Sequence, residues 1–244
     1  MLEIACYAIA LTAAAWALRV RRGTWGIPWE TPTTRTIMRL AVALVLIAPA
    51  AEPVIGRLLF EVFGKWHLND MWGHMLELGA LATSTLGGML RMPAMRRRIA
   101  PLLWQPFVVG SAAMLLLFWH SSVTHNPDHD LFRLPHDWWL NAYFGVFWTV
   151  LVYYGVFNAW VALAHLRADP RSRPVALTWL SCVGLGAVAM LGWLLPWLHW
   201  GAWYDYGRIA MCASVTAYAI ASARSWQRKL DQWRGLITVT GARL

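Results

Sequence analysis

The stretch His120-x4-His125-x3-His129-Asp130, continuing to His136-Asp137, sets imidazoles and carboxylates on one short connection, and these are the ligand types that zinc and copper prefer. With His67 and His199, six of the eight histidines fall in or beside alternate connections of the chain, and a seventh, His74, stands about two turns inside an apolar segment. The spacing matches no recognised closed metal site, so a solvated, histidine-studded loop is the plainer account of it. A bis-imidazole b-type haem needs two histidines at similar depth on neighbouring helices, and His74 with His120 or His199 is the arrangement that offers this. The metal or haem candidates are therefore His74, His120, His125, His129 and His199. Haem, copper and zinc all stay open, and the sequence requires none of them.

A second set of residues points to binding. Ionisable groups inside apolar segments are costly and usually face a cavity or a partner. His74 and Glu77 are three residues apart and share one helix face. Glu52 stands directly before Pro53, where a kink would turn its carboxylate inward. Asn141, Tyr143, Asp205 and Arg208 lie at the corresponding ends of other apolar segments. Glu52, His74, Glu77, Asn141, Tyr143, Asp205 and Arg208 together could line one pocket, with His74 and the two glutamates as hydrogen-bonding or proton-linked groups. Catalysis has less to rest on, because His-Glu-x-x-His, Gly-x-Ser-x-Gly and Ser-x-x-Lys are all missing from the sequence.

The elements that must hold these groups are membrane-spanning helices. The chain has 244 residues, 59% of them hydrophobic and 14% charged, with a mean hydropathy of +0.45. That excludes disorder, and 18 tryptophans suit bilayer interfaces. Apolar runs of about 20 residues, the length a bilayer core of roughly 30 Å demands, predict an all-α bundle of seven transmembrane helices. They are Leu2–Leu18, Ile37–Phe60, Leu68–Leu90, Ile99–Trp119, Trp139–Leu166, Val175–Leu198 and Tyr206–Ala223. The first starts too near the N-terminus, without a basic region before it, to read as a cleaved signal peptide. Cys6, Cys182 and Cys212 fall inside these runs, without a disulfide or zinc spacing. Small-residue pairs at Gly79-Ala80, Gly87-Gly88 and Gly184-x-Gly186 would let backbones approach.

Charge gives the orientation. All Lys and Arg but Arg57, Lys65, Arg133 and Arg208 lie in Arg19–Arg39, Arg91–Arg98, Arg167–Arg173 and the tail from Arg224. The positive-inside rule then places the N-terminus outside and the C-terminus in the cytoplasm of a multi-pass plasma-membrane protein. The net charge of +9 reads as topology and attraction to anionic lipids at the cytoplasmic face, not as nucleic-acid binding. Residues 1–224 form the transmembrane domain. Residues 225–244 form a short basic tail, either an amphipathic surface helix or the end of the last span. Arg96, Arg97 and Arg98 before the fourth span, with Trp226 and Trp233 of the tail, are the expected membrane-surface contacts. The segment Arg22–Arg35, broken by Gly23, Gly26, Pro28 and Pro32, reads as an interfacial loop. Two familiar seven-helix classes do not fit. Neither lysine, Lys65 or Lys229, lies in the last span, which excludes a retinal protein, and the Asp-Arg-Tyr and Asn-Pro-x-x-Tyr motifs of G-protein-coupled receptors are missing.

The run Gly64-Lys65-Trp66-His67-Leu68-Asn69-Asp70-Met71-Trp72-Gly73-His74 closes an apolar stretch on a histidine. Arg96–Arg98 before the fourth span, Asn141-Ala142-Tyr143 opening the fifth, and Gly184/Gly186 in the sixth complete a pattern. It resembles an actinobacterial family of seven-transmembrane-helix proteins of uncharacterised function that are labelled as transporters. The chain departs from that pattern at Trp66, where the family has Pro, and at His67, where it has Asn. It also ends soon after Leu236-Ile237, where family members continue into a cytoplasmic extension, so the resemblance implies a minimal or truncated member. It singles out His74 without implying a reaction.

The leading expectation is a non-enzymatic membrane protein with an outward-facing polar pocket, acting as a sensor or transporter-like component. One alternative is a haem- or copper-binding redox or metal-handling protein. Another is a subunit of a larger assembly, as a homo-oligomer or with a membrane-protein partner.

Overall fold

The computed structural model describes residues 2–127, 131, 136–168, 173–197 and 204–240. The described chain is helical, without strands. Its helices are α1 (Leu2–Val20), α2 (Thr31–Leu46), α3 (Arg57–Phe63), α4 (Leu68–Met89), α5 (Gln105–His120), α6 (Trp138–Ala168), α7 (Arg173–Trp197) and α8 (Tyr204–Thr240). Four stretches, Leu2–Val20, Pro101–His120, Trp138–Arg167 and Val175–Gly192, are long and apolar enough to cross a membrane. The protein is thus an all-α protein of membrane type. The other long helices carry more polar and charged residues: Arg35 and Arg39 on α2, Asn69, Asp70, His74 and Glu77 on α4, and the charged second half of α8.

The bundle closes on itself. α1 packs on α2 and α8, α2 on α4, α4 on α6, α6 on α7, and α7 on α8, while α5 lies outside against α4 and α6. α4 is the hub, buried along almost its whole length. Around it Leu78, Met71, Phe118, Phe144, Phe147 and Tyr154 form the largest apolar core. Without a water-driven force between helices in lipid, such packing rests on close contact and interhelical hydrogen bonds. Thr36 and Thr83 bond each other at 3.0 Å across α2 and α4, and Arg39 Nη1 donates to the Gly79 carbonyl at 2.9 Å. At Gly88 a Cβ would lie 2.3 Å from Val161 Cγ1, so only glycine lets α4 and α6 meet there. At Gly184 and Gly186 a Cβ would meet nothing within 4 Å. The close approach expected at that pair does not occur, and Gly186 instead opens onto a cavity.

The second expected span, Ile37–Phe60, is not one helix. α2 stops at Leu46, and Ile47–Ala51 bends before a π-helical turn over Glu52–Gly56 leads into α3. Pro49 and Pro53 withhold the N–H groups a continuous helix would need. The expected fourth span is also interrupted at its start, by a π-helical turn over Ala100–Trp104 that contains Pro101. The segment expected as an interfacial loop, Arg22–Arg35, is helical from Thr31, because Pro32 sits in the first turn where its missing N–H costs nothing. The basic tail continues α8 unbroken to Thr240.

Candidate functional site

The bundle has one end rich in histidine and one rich in arginine. At the histidine end, α3 stops at Gly64, whose φ of 69° only glycine adopts freely, and five residues later α4 has begun. Between them the chain is pinned to the segment after α5. Trp66 N–H donates to the Thr124 carbonyl at 2.8 Å. Lys65 Nζ donates to the Ser121 carbonyl at 3.2 Å and to Thr124 Oγ1 at 2.9 Å. Burial pushes the Lys65 amine down, and Asp137 opposes that.

His67 follows in the left-handed region, with φ 61°, an uncommon conformation for a side-chain-bearing residue. This backbone turns the imidazole inward, where it is fully buried. Its Nε2 lies 3.0 Å from the Asn126 carbonyl. A carbonyl only accepts, so Nε2 carries a hydrogen, and in the neutral ring Nδ1 is left with its lone pair. Nδ1 faces two carboxylates, with Glu52 Oε1 at 3.4 Å and Asp70 Oδ2 at 3.5 Å. The ligand atoms of Glu52, His67 and Asp70 all fall within 4.8 Å of one another. Neither His67 Nδ1 nor Glu52 Oε2, both buried, has a hydrogen-bond partner. Burial disfavours charge on the ring, but Asp70, Glu52 and the Asn126 carbonyl outweigh it and hold the imidazole above its usual range.

The supports of this cluster are specific. The π-helical turn bends the chain so that Glu52, placed ahead of Pro53, points into the bundle, and its Oε1 accepts the His67 backbone N–H at 3.3 Å. Gly56 leaves the room: a Cβ there would lie 2.7 Å from the Glu52 carboxyl carbon. Asn69 Nδ2 caps the end of α2 by donating to the Leu46 carbonyl at 2.9 Å and also reaches Asp70 Oδ1 at 3.3 Å.

The residues expected to share one pocket are divided among several places. Glu52 joins His67 and Asp70. His74 Nδ1 and the Tyr143 hydroxyl are bonded at 2.8 Å, with the His74 ring packed among Phe144 and Phe147. Glu77 lies deeper, buried, and lines a cavity of about 330 Å³ between α2, α4, α6, α7 and α8. Arg208 pairs with Glu3 of α1. Asn141 is half-buried near the start of α6, and its backbone N–H donates to the Asp137 carbonyl. The side chain of Asp205 lies outside what the structure describes.

The histidine candidates fare similarly. His120 is exposed, its ring tilted against that of Trp139, with Nδ1 2.8 Å from the Leu116 carbonyl of its own helix. His125 is exposed beside the Ser122 carbonyl. His74 is sealed in an aromatic core, so His74 and His120 do not form the like pair a haem requires. His129 and His199 lie outside the described residues. Asp137 is committed to structure: its Oδ1 takes the Leu140 N–H at 2.8 Å, capping α6, and its Oδ2 takes the Ser122 N–H at 2.8 Å. Among the described residues, the one group of three metal-type ligands is Glu52, His67 and Asp70. Of these three, the sequence singled out Glu52 as a pocket residue and set His67 beside a connection, and it gave Asp70 no site role. The available signal was His67-x2-Asp70 at a helix start behind a Glu-Pro break.

At the arginine end a second polar centre is built on the buried pair Arg21 and Glu30. Arg21, 1% exposed, donates through Nε to Thr34 Oγ1 at 3.1 Å, through Nη1 to the Ser222 carbonyl at 3.0 Å and through Nη2 to Glu30 Oε2 at 2.7 Å. Glu30 Oε1 also pairs with Lys229 and, at 3.6 Å, with Arg91. Burial raises the Glu30 carboxyl, but the bonds from Lys229 and Arg21 overcome this and hold it below the usual range. Of the expected surface residues, Trp226 is instead buried beneath Arg21, with the guanidinium 5.9 Å from its ring centre. Trp233, Arg97 and Arg98 are exposed, and the Arg96 side chain is not among those described.

Compared with protein families, with curated proteins and with solved structures, the chain matches none.

Proposed function

We propose that this chain is a seven-crossing, multi-pass protein of the plasma membrane, N-terminus outside and C-terminus cytoplasmic, that binds a divalent transition-metal ion at its outer face through Glu52, His67 and Asp70. Zinc is the ion of first choice, and the site is the recognition element of a sensor or transporter-like component. The two interrupted crossings are the second, through α2, the π-helical turn and α3, and the fourth, which starts at the turn Ala100–Trp104. Only four of the 21 Lys and Arg residues lie on the histidine side, which supports that end as the outer one.

One observation carries the metal. Within a buried pocket, His67 Nδ1 and Glu52 Oε2 have no hydrogen-bond partner, and Nδ1 faces carboxylate oxygens of Glu52 and Asp70, an arrangement that a cation or a proton between them would stabilise. A hydrogen bond from Nδ1 would be about 2.7–3.2 Å long. The distances of 3.4 and 3.5 Å are longer. Bonds of about 2.0–2.2 Å to a tetrahedral zinc give ligand-to-ligand edges of about 3.3–3.6 Å, in agreement with them. The Nε2–H bond to a backbone carbonyl is also the outer-shell contact that fixes a ligating histidine's tautomer. Three protein ligands leave a fourth position for water or for a transported or sensed group.

The test is zinc titration of the purified full chain in detergent, with elemental analysis of the product. About one zinc per chain is expected, with affinity lowered at least about tenfold in Glu52→Gln and in Asp70→Asn, and unchanged in His120→Ala and His125→Ala. Unaltered melting temperatures would show that the variants fold. A chain that takes up no zinc, with His67 carrying hydrogen on both ring nitrogens in a ¹⁵N spectrum, would replace the metal with an imidazolium bridge. Equal affinity across all variants would place the metal elsewhere.

A further inference from the structure

The arginine end opens into a cavity of about 1020 Å³ between the α1–α2 connection, the end of α4, α7 and α8. Its cationic lining is Arg21, Arg91, Arg224, Arg228 and Lys229, against the single carboxylate of Glu30. That carboxylate is saturated, because Arg21, Lys229 and Arg91 all converge on it. Arg224 and Arg228, one helical turn apart on α8, are exposed and pair with no carboxylate among the described residues. Their guanidinium groups are rigid forks of N–H donors suited to phosphate oxygens.

A second cavity adjoins this one. Trp179 and Tyr218 form part of the wall of the first and are equally part of the wall of the second, the 330 Å³ cavity deeper in the bundle. That second space is lined mainly by apolar groups such as Leu81, Leu151, Val183, Met190 and Met211. At about 30 Å³ per water-sized group it has room for roughly ten methylenes. A basic mouth opening beside an apolar slot fits a molecule that is anionic at one end and hydrocarbon at the other. It does not fit a free anion, which would leave the slot unused.

We infer that the bundle binds one lipid bearing an uncompensated phosphate, its headgroup between Arg224 and Arg228 and an acyl tail passing Trp179 and Tyr218 into the apolar slot. This site is independent of the metal centre, which lies at the opposite end of the bundle. Arg21 and Glu30 serve it indirectly, by holding α8 against the α1–α2 connection so that the two free arginines face the opening.

The experiment is native mass spectrometry of the delipidated full chain, with dioleoyl phosphatidic acid, dioleoyl phosphatidylcholine and inorganic phosphate as probes. One phosphatidic acid should be retained per chain, in preference to phosphatidylcholine, and excess inorganic phosphate should not displace it. At about 1 kcal/mol per basic residue near a lipid phosphate, the double variant Arg224→Gln/Arg228→Gln should bind about thirtyfold more weakly. Both side chains are exposed, so that variant keeps its fold. Filling the slot with Gly186→Leu should weaken lipid retention while leaving phosphate binding untouched. Equal retention of the two lipids would overturn the headgroup assignment. Displacement by inorganic phosphate, or full retention in Gly186→Leu, would overturn the tail assignment and leave a simple anion site.

Discussion

At the scale of single residues, burial separates the groups that hold the fold from those free to act. Asp137 illustrates the first kind. Its carboxylate closes the first turn of α6 and ties down the segment after α5 through the Ser122 N–H and the hydroxyls of Ser121 and Ser122. Burial works against its charge, but these four donors prevail and hold its pKa below the ordinary aspartate value. Stability that depends on a lowered carboxylate pKa is present above the unfolded value of about 3.9 and is lost as pH falls through the lower folded value. Asp137→Ala should therefore cost about 1 kcal/mol near neutral pH. That deficit should be flat from about pH 7 to pH 5 and shrink below about pH 4. Paired thermal melts in detergent across this range check it, and a deficit that grew on acidification would refute the assignment. The sequence suggested Asp137 as part of a histidine-loop metal site. Nothing in its spacing revealed that one turn of helix and two serines already claim its oxygens.

Among elements, the long apolar helices were legible because a bilayer leaves the backbone no other solution. The expected run Leu68–Leu90 is α4 (Leu68–Met89), and Trp139–Leu166 falls within α6 (Trp138–Ala168). The interruption of the second helix was legible only as the Glu52-Pro53 pair, because a π-helical turn depends on which carbonyls the prolines leave unpaired. Contacts between helices were partly readable. Gly87-Gly88 and Gly184-x-Gly186 look alike as sequence, yet Gly88 sits against Val161 and Trp179 while Gly184 and Gly186 face open space. Helix rotation decides the difference, and an all-apolar helix carries no periodic signal of its rotation. Gly88→Ala should accordingly destabilise the bundle by about 1–3 kcal/mol through overpacking. Val161→Ala in the same chain should recover most of that loss, because it removes the methyl that the new Cβ meets. Gly184→Ala should be nearly silent. A double variant no better than Gly88→Ala alone in a detergent melt would show that the α4–α6 crossing is set elsewhere.

For the molecule as a whole, charge asymmetry was the most readable property, and its meaning was only half visible. Arg21 counted in the sequence as one more positive-inside residue. In the structure it is 1% exposed and bonded to Thr34, Glu30 and the Ser222 carbonyl, where its removal would leave buried acceptors and a carboxylate short of a partner. The surplus that remains, Arg224 and Arg228 above all, is what a membrane would sense. Both proposed sites depend on which end faces which side, and the assignment can be read directly. In a Cys6→Ala chain the other cysteines, Cys182 and Cys212, are buried, so an introduced thiol gives the signal. Ser122→Cys, exposed at the histidine end, should react with a membrane-impermeant maleimide on intact cells. Arg228→Cys, exposed at the arginine end, should react only after permeabilisation. The reverse pattern would turn the bundle over, put the Glu52–His67–Asp70 cluster in the cytoplasm and the phosphate mouth outside, and contradict the positive-inside rule in a chain with only four basic residues at its histidine-side connections and span ends. Labelling of both thiols on intact cells would mean that the helices do not span the membrane as a closed bundle.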